Sequence, residues 1–171
     1  MIKLIATDID GTLVKDGTLI IDPEYMTVIS KLIDKGIIFT VCSGRQFSSE
    51  QKLFAPIKDK LMYITDGGTV VRTPDRILKT YPMSNELWKN MCRMVRDELP
   101  ACDYFAASPD LCYAEDGASP IFHRLRDSYG FEMREVDDLT KLENDDIIKF
   151  TVYHPDSCEE LCSPHFIPAW K

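Results

Sequence analysis

The stretch Ile2-Lys-Leu-Ile-Ala-Thr-Asp8-Ile-Asp10-Gly11-Thr12 decides how the rest of the chain is read. A largely apolar run of strand length stops abruptly at two carboxylates, two residues apart, and a glycine. A buried parallel strand would therefore deliver charge at its C-terminal tip, where open α/β sheets keep their sites. If the chain stays extended through Ile9, the i, i+2 spacing puts Asp8 and Asp10 on one side, close enough to repel. Such a pair is stable when one acid keeps a proton, or when a divalent cation or another positive group lies beside it. Alone, D-x-D-G reads as a turn after a strand-end acid. The rest of the chain favours a site.

Composition sets outer limits. The 171 residues are 44% hydrophobic and 28% charged, which is ordinary for a globular protein and argues against disorder. No apolar run reaches the roughly 18 residues of a membrane span, and no basic-then-apolar leader opens the chain, so an unexported, cytoplasmic protein is expected. The six cysteines form no C-x-x-C pair, and Cys158 and Cys162 have no partners at finger spacing. They read as reduced thiols rather than a metal site. The net charge of -8 is uneven: residues 1–81 hold 11 Lys+Arg against 10 Asp+Glu, and residues 82–171 hold 9 against 18. Nucleic acid is a poor partner for that second half.

After the acids, Leu13-Val-Lys-Asp16-Gly17-Thr-Leu-Ile20 reads as a hairpin flap around an Asp-Gly turn. Asp22, Pro23 and Glu24 then open a helix with Met26, Ile29, Leu32 and Ile33 on one stripe, closed by Gly36. Residues 37–42 form a second buried strand, parallel to the first through a right-handed crossover. It ends directly in Ser43-Gly44-Arg45, ahead of a helix over 46–54. Backbone N–H groups at a helix start, a serine hydroxyl and a glycine suit a phosphate. Arg45 is open to two readings, a ligand contact or an ion pair. A third strand, 61–65, ends in Asp66-Gly67-Gly68, a third polar tip for one shared site.

From Thr69 the pattern changes. Residues 70–72 and 77–81 read as an antiparallel hairpin. Beyond it come a helix capped by Ser84 with Leu87, Met91, Met94 and Val95 on one face, short strands near 102–106 and 111–114, a helix from Ser119-Pro120 to Gly130 with Ile121, Leu125 and Tyr129 inward, and a strand at 147–153. Met91 and Met94 read as core fillers. This half forms a separate α+β module packed on its own sheet.

D-x-D-G-T after strand one, S-G-R after strand two, a flap between them and an α/β insert after strand three resemble the haloacid dehalogenase-like (HAD) phosphatases, specifically the Cof-type subgroup with a large cap. The match is specific over residues 1–81 and extends to 82–171 only in rhythm. It implies an α/β fold, a HAD-like Rossmannoid core whose first three strands form a parallel sheet, followed by an α+β cap module. The resemblance implies that Asp8 is a nucleophile forming an aspartyl phosphate and that Asp10 is the general acid and base. It also implies Mg²⁺ held by Asp8 and the Asp10 carbonyl, and phosphate gripped by the segment Ile9, Gly11, Thr12 and by Ser43, Gly44 and Arg45. The implied substrate is a small phosphorylated metabolite such as a sugar phosphate. Asp66 departs from the asparagine common in the family at that tip. A further segment of the family, carrying a lysine and a G-D-x-x-N-D motif, has no counterpart here; Asp156, Glu159 and Glu160 lack its pattern. The chain is thus expected to be an N-terminal portion of the usual fold. Its first strand should be an exposed edge through which the chain self-associates. A non-catalytic protein keeping half the fold for anion binding or self-association is the alternative reading, and a phosphotransferase resembling the phosphomannomutases is a third.

Overall fold

The run before the acids forms strand β1, Leu4–Asp8, which carries one residue further than its apolar stretch, so that Asp8 is the last residue of the ladder. This is a computed structural model, and it describes residues 1–15, 18–143 and 146–169. Asp22 caps helix α1, Pro23–Asp34, by accepting the Glu24 N–H, and Gly36 turns the chain out with a φ of 79°. Only glycine reaches that conformation without strain. Strand β2, Ile38–Cys42, returns parallel to β1 with Leu4 opposite Ile38 and Asp8 opposite Cys42. Helix α2, Phe47–Leu53, leads to β3, Met62–Thr65, again parallel.

The antiparallel hairpin of β4, Val70–Arg72, and β5, Ile77–Thr80, extends the same sheet. Its order is β1-β2-β3-β4-β5, with β1 at one edge. Ile29 of α1 and Phe47 and Leu53 of α2 pack with Phe39, Val41 and Tyr63 of the sheet. Each such side chain contributes roughly 1.5–3 kcal/mol by leaving water.

A second sheet of order β8-β7-β6-β9 follows. Its strands are β6, Asp103–Ala107; β7, Cys112–Ala114; β8, Met133–Glu135; and β9, Lys149–Tyr153. Helix α3, Asn85–Glu98, packs on it, capped by Ser84 as expected. Its buried face is Trp88, Cys92 and Val95, whereas Leu87, Met91 and Met94 are partly exposed, so the expected stripe is corrected by a fraction of a turn. Trp88 has the largest apolar area on the helix, and burying it sets the rotation.

Helix α4, Pro120–His123, passes at once into a π-helical turn, Arg124–Ser128. Phe122 takes the fully buried place, and Ile121, Leu125 and Tyr129, expected inward, are half-buried along a cleft. Two short helices, α5 (Cys158–Leu161) and α6 (Ser163–Ala169), complete the described chain. All six cysteines are free thiols, and Cys102 and Cys162 touch at 3.5 Å in a small apolar cluster. Among the described residues no helix is long and apolar enough to cross a membrane.

The flap differs from a hairpin. Its Asp16-Gly17 turn lies outside the described residues. Leu13 and Leu19 to Ile20 form no ladder, and Val14 makes only an isolated bridge to Asp10. The cause is local: the Ile9 carbonyl accepts from the N–H groups of Thr12, Leu13 and Val14 at 2.8–3.2 Å, which coils the backbone into a tight turn before any strand can start.

Candidate active site

Three strand tips meet at one edge of the first sheet. At the tip of β1, Asp8 is exposed, and Thr12 Oγ1 donates to its Oδ2 at 3.1 Å. Ile9 is fully buried and anchors the turn, and Gly11 sits at a φ of 77°. At the tip of β2, the Ser43 hydroxyl accepts from the Arg45 N–H at 3.1 Å. The tip of β3 is stitched to that loop, the Asp66 N–H donating to the Arg45 carbonyl and the Gly67 N–H to the Ser43 carbonyl. Each sequence-expected site residue therefore lies at this edge.

Arg45 resolves the repulsion that the Asp8–Asp10 spacing creates. Its guanidinium grips Asp10 with two bonds, Nε to Oδ2 at 2.8 Å and Nη2 to Oδ1 at 2.7 Å, and Nη2 also donates to the Thr18 carbonyl of the flap at 2.7 Å. The Arg45 side chain is 2% exposed against 23% for Asp10. A forked pair of this kind is stronger than a single-point contact and fixes orientation. Of the two readings left open for Arg45, the geometry gives the ion pair. The helix start is also less available than its position implies: α2 begins only at Phe47, and Phe47, Ser49 and Glu50 of its first turn are buried. Gly44, exposed and with open space where a side chain would stand, is the accessible part of the S-G-R loop.

Gln46, Glu50 and Lys149 join the site without having been singled out in the sequence, and Asp66, expected at its third tip, is buried there. Gln46 is fully buried and clasps the Glu132 backbone, accepting its N–H at 2.6 Å and donating to its carbonyl at 3.3 Å, which ties the S-G-R loop to the second sheet. Glu50 is fully buried with neither carboxylate oxygen hydrogen-bonded; burial first, then the neighbouring Asp66, pushes it well above the usual carboxylate range. Asp66, 3% exposed and likewise without hydrogen bonds at its carboxylate, is pushed up to about 6 by burial, against the pull of Lys149. Lys149, at the start of β9, donates to the Gly44 carbonyl at 2.8 Å and stands 3.8 Å from Asp66 Oδ1. Its signal was present in the polar-apolar alternation of 149–153, whereas Glu50 on a mixed helix looks like any surface acid.

Among the described residues no group of three or more His, Cys, Asp or Glu side chains is placed to hold a metal ion. A cleft of about 280 Å³ runs from Asp10, Gly44 and Arg45 to the second sheet.

The fold and this edge agree with what the chain is similar to. A structure from Eubacterium rectale is 82% identical, with a TM-score of 0.87, and the match covers 99% of this chain and 64% of that one. A structure from Thermotoga maritima shares the fold at a TM-score of 0.74 and 23% identity, over 99% of this chain and 62% of that one. Among curated proteins, the 5-amino-6-(5-phospho-D-ribitylamino)uracil phosphatase YbjI of Escherichia coli is 26% identical over 147 residues, 84% of this chain and 52% of that protein. The Bacillus subtilis phosphatase YwtE, named for the same activity, is 32% identical over 87 residues, 51% of this chain and 30% of that protein. The chain thus spans about half of the first curated relative's length and under a third of the second's. The model of the haloacid dehalogenase-like hydrolases matches residues 5–166, nearly the whole chain, and the chain belongs to that family.

Proposed function

We propose that these residues serve a phosphomonoester hydrolase in which Asp8 is the nucleophile, residues 1–81 carry the chemistry and residues 82–171 face the substrate. The observation that carries the reading is the arrangement at the first strand tip: an exposed Asp8 oriented by Thr12, beside an Asp10 held in place by Arg45. An Asp8 oxygen attacks phosphorus, the bond from phosphorus to the ester oxygen breaks, and Asp10 delivers a proton to the departing alcohol. Water then gives a proton to Asp10 and attacks the same phosphorus, which frees Asp8 and inorganic phosphate. Both Asp10 oxygens accept from Arg45 in this structure, so the protonated form that delivers the proton gives up one of these bonds to turn its O–H toward the ester, and Arg45 sets where the side chain starts from.

Mg²⁺ would be held by the Asp8 carboxylate and the Asp10 carbonyl, and when bound it lowers the repulsion between an anionic nucleophile and an anionic ester. Two protein ligands leave most of the six oxygens that Mg²⁺ takes to water or to other groups. The backbone around Ile9, Gly11 and Thr12, together with Ser43 and Gly44, surrounds the place where the phosphate would lie. Small phosphorylated metabolites are the substrate class. Sugar phosphates and the 5-amino-6-(5-phospho-D-ribitylamino)uracil named for both curated relatives are the esters to assay. The test is Asp8→Asn in the full natural protein: turnover should fall to background while the circular dichroism spectrum is unchanged, because the side chain packs against nothing in the core. Near-normal turnover would remove Asp8 from the role.

A further inference from the structure

Three of the six free thiols gather at one end of the second sheet. Cys102 directly precedes β6 and Cys162 directly follows α5, and their buried sulfurs stand 3.5 Å apart with no bond between them. They pack with Val95 and Leu99 at the end of α3. Asp103 pairs with Tyr153 at the last rung of the β6–β9 ladder, so this corner is where the two strands connect to α3 and α5. The third thiol, Cys158, is exposed one helical turn before Cys162, whose N–H donates to the Cys158 carbonyl at 3.0 Å. The Cys158 sulfur accepts the His154 N–H at 3.1 Å and lies beside the Cys162 thiol. A groove of about 270 Å³, with Met91, Phe150, Val152 and Phe166 in its walls, opens on both Cys158 and Cys162. Asp156, Glu159 and Glu160, all exposed, flank Cys158 in the chain.

We propose that Cys158, Cys162 and Cys102 form a redox-modification site, in which a small disulfide entering by the groove reacts at Cys158 and the exchange ends in a Cys102–Cys162 link that clamps this corner of the sheet. The inference is independent of the hydrolase reading. The steps are thiol–disulfide exchanges. The Cys158 sulfur attacks one sulfur of the reagent, the reagent's S–S bond breaks, and the first small thiol leaves with the Cys158 proton. The Cys162 sulfur then attacks Cys158, and the second small thiol leaves with the Cys162 proton. Finally the Cys102 sulfur attacks Cys162, the Cys158–Cys162 bond breaks, and the Cys102 proton passes to Cys158. Two protein thiols are oxidised, and one small disulfide is reduced to two thiols. The order follows from exposure: burial first, then the neighbouring thiols, pushes Cys162 up to about 12, so reagents from solution meet its inert thiol form. The end point follows from position. A Cys158–Cys162 bond is open to reduction from solvent, whereas the Cys102–Cys162 pair is buried and joins residues 60 positions apart, which removes far more freedom from the unfolded chain. Lys149 pairs with Ala107 at the opposite end of the β6–β9 ladder, so the link adds stability without touching the candidate active site.

The experiment incubates the reduced full natural protein with cystamine, a small disulfide whose two ammonium groups suit the acidic flank of Cys158. Samples are blocked with an alkylating agent at intervals and mapped by peptide mass spectrometry, with cleavage after Glu159 and Glu160 separating Cys158 from Cys162. A cystamine adduct on Cys158 should appear first and give way to a Cys102–Cys162 crosslink, while Cys42, Cys92 and Cys112 stay free. Cys158→Ser, a change at an exposed position, should slow the crosslink by about tenfold or more, since only buried thiols remain to react. The crosslinked protein should melt roughly 5 °C or more above the reduced one, and dithiothreitol should reverse the difference. No crosslink, a Cys158 adduct or a Cys158–Cys162 bond as the final product, an unchanged rate in Cys158→Ser, or a melting temperature no higher after crosslinking overturns the proposal.

Discussion

Asp10 and Arg45 are 35 positions apart in the chain, yet their side chains meet in a two-point contact, with bonds of 2.7–2.8 Å. Lysine in place of Arg45 would keep the charge and lose the fork, so Arg45→Lys should lower kcat by roughly 10–100-fold with little change in KM, the scale of a small misplacement of a catalytic group. A rise in KM at constant kcat would instead make Arg45 a direct phosphate ligand. Asp66 gives a pH-dependent expectation. Its folded-state pKa of about 6 lies above the ordinary 3.8, so the folded protein binds that proton more tightly than the unfolded chain. The resulting stability is fully present below about pH 4 and is lost as pH rises through 6, an amount on the order of 2–3 kcal/mol for a group this buried. Glu50 is displaced in the same direction. Asp66→Asn should therefore raise the urea midpoint at pH 8 and have a much smaller effect at pH 5; an equal shift at both values would show that Asp66 is not neutralised on folding. The acids of D-x-D-G-T were legible because a strand pattern ends on them. Gln46 was not, because it is held by Glu132 of the second half, 86 positions away, and Glu50 was not, because a single acid on a mixed helix carries no sign of being buried.

At the scale of elements, the pieces with caps and strong periodicity were legible to within a residue or two: β1 to β3, α1 with Asp22 and Gly36, and the β4–β5 hairpin. β8, α5 and the π-helical turn span three to five residues, too few for any period to show. The flap failed for a different reason, since three N–H groups converging on the Ile9 carbonyl is a backbone event that side-chain alternation does not encode. The edge position of β1 was legible and has a consequence. Its only ladder partner among the described residues is β2, and Ile2, Leu4 and Ile38 are 67%, 53% and 48% exposed. A free apolar edge is a template for another strand. Residues 1–171 expressed alone should therefore show a light-scattering mass that rises with concentration, with rapid amide exchange at Leu4 to Ala6 at low concentration. A monodisperse monomer with those amides strongly protected would mean that the edge is covered from within the chain.

Across the whole molecule, the division of charge parallels the division of labour proposed here. The first 81 residues are nearly neutral and hold Asp8, Asp10 and Arg45, whereas the acidic remainder supplies Lys149 to the cleft. An acidic surface of that kind disfavours polyanions, in keeping with the small phosphate esters proposed as substrates. Mg²⁺ should bind residues 1–171 only at millimolar concentration or weaker, since Asp8 and one carbonyl are few ligands for it; micromolar binding by calorimetry would point to a further acid, Asp66 first, in the shell. The claim on which everything else depends is that Asp8 takes the phosphoryl group. It is tested most directly by mixing the full natural protein with a phosphate ester and Mg²⁺, quenching in acid within one turnover, and mapping the product by peptide mass spectrometry. The account predicts one added phosphoryl group on the peptide carrying Asp8, absent from Asp8→Asn. Turnover with no phosphorylated peptide, or with the group on another residue, would contradict it.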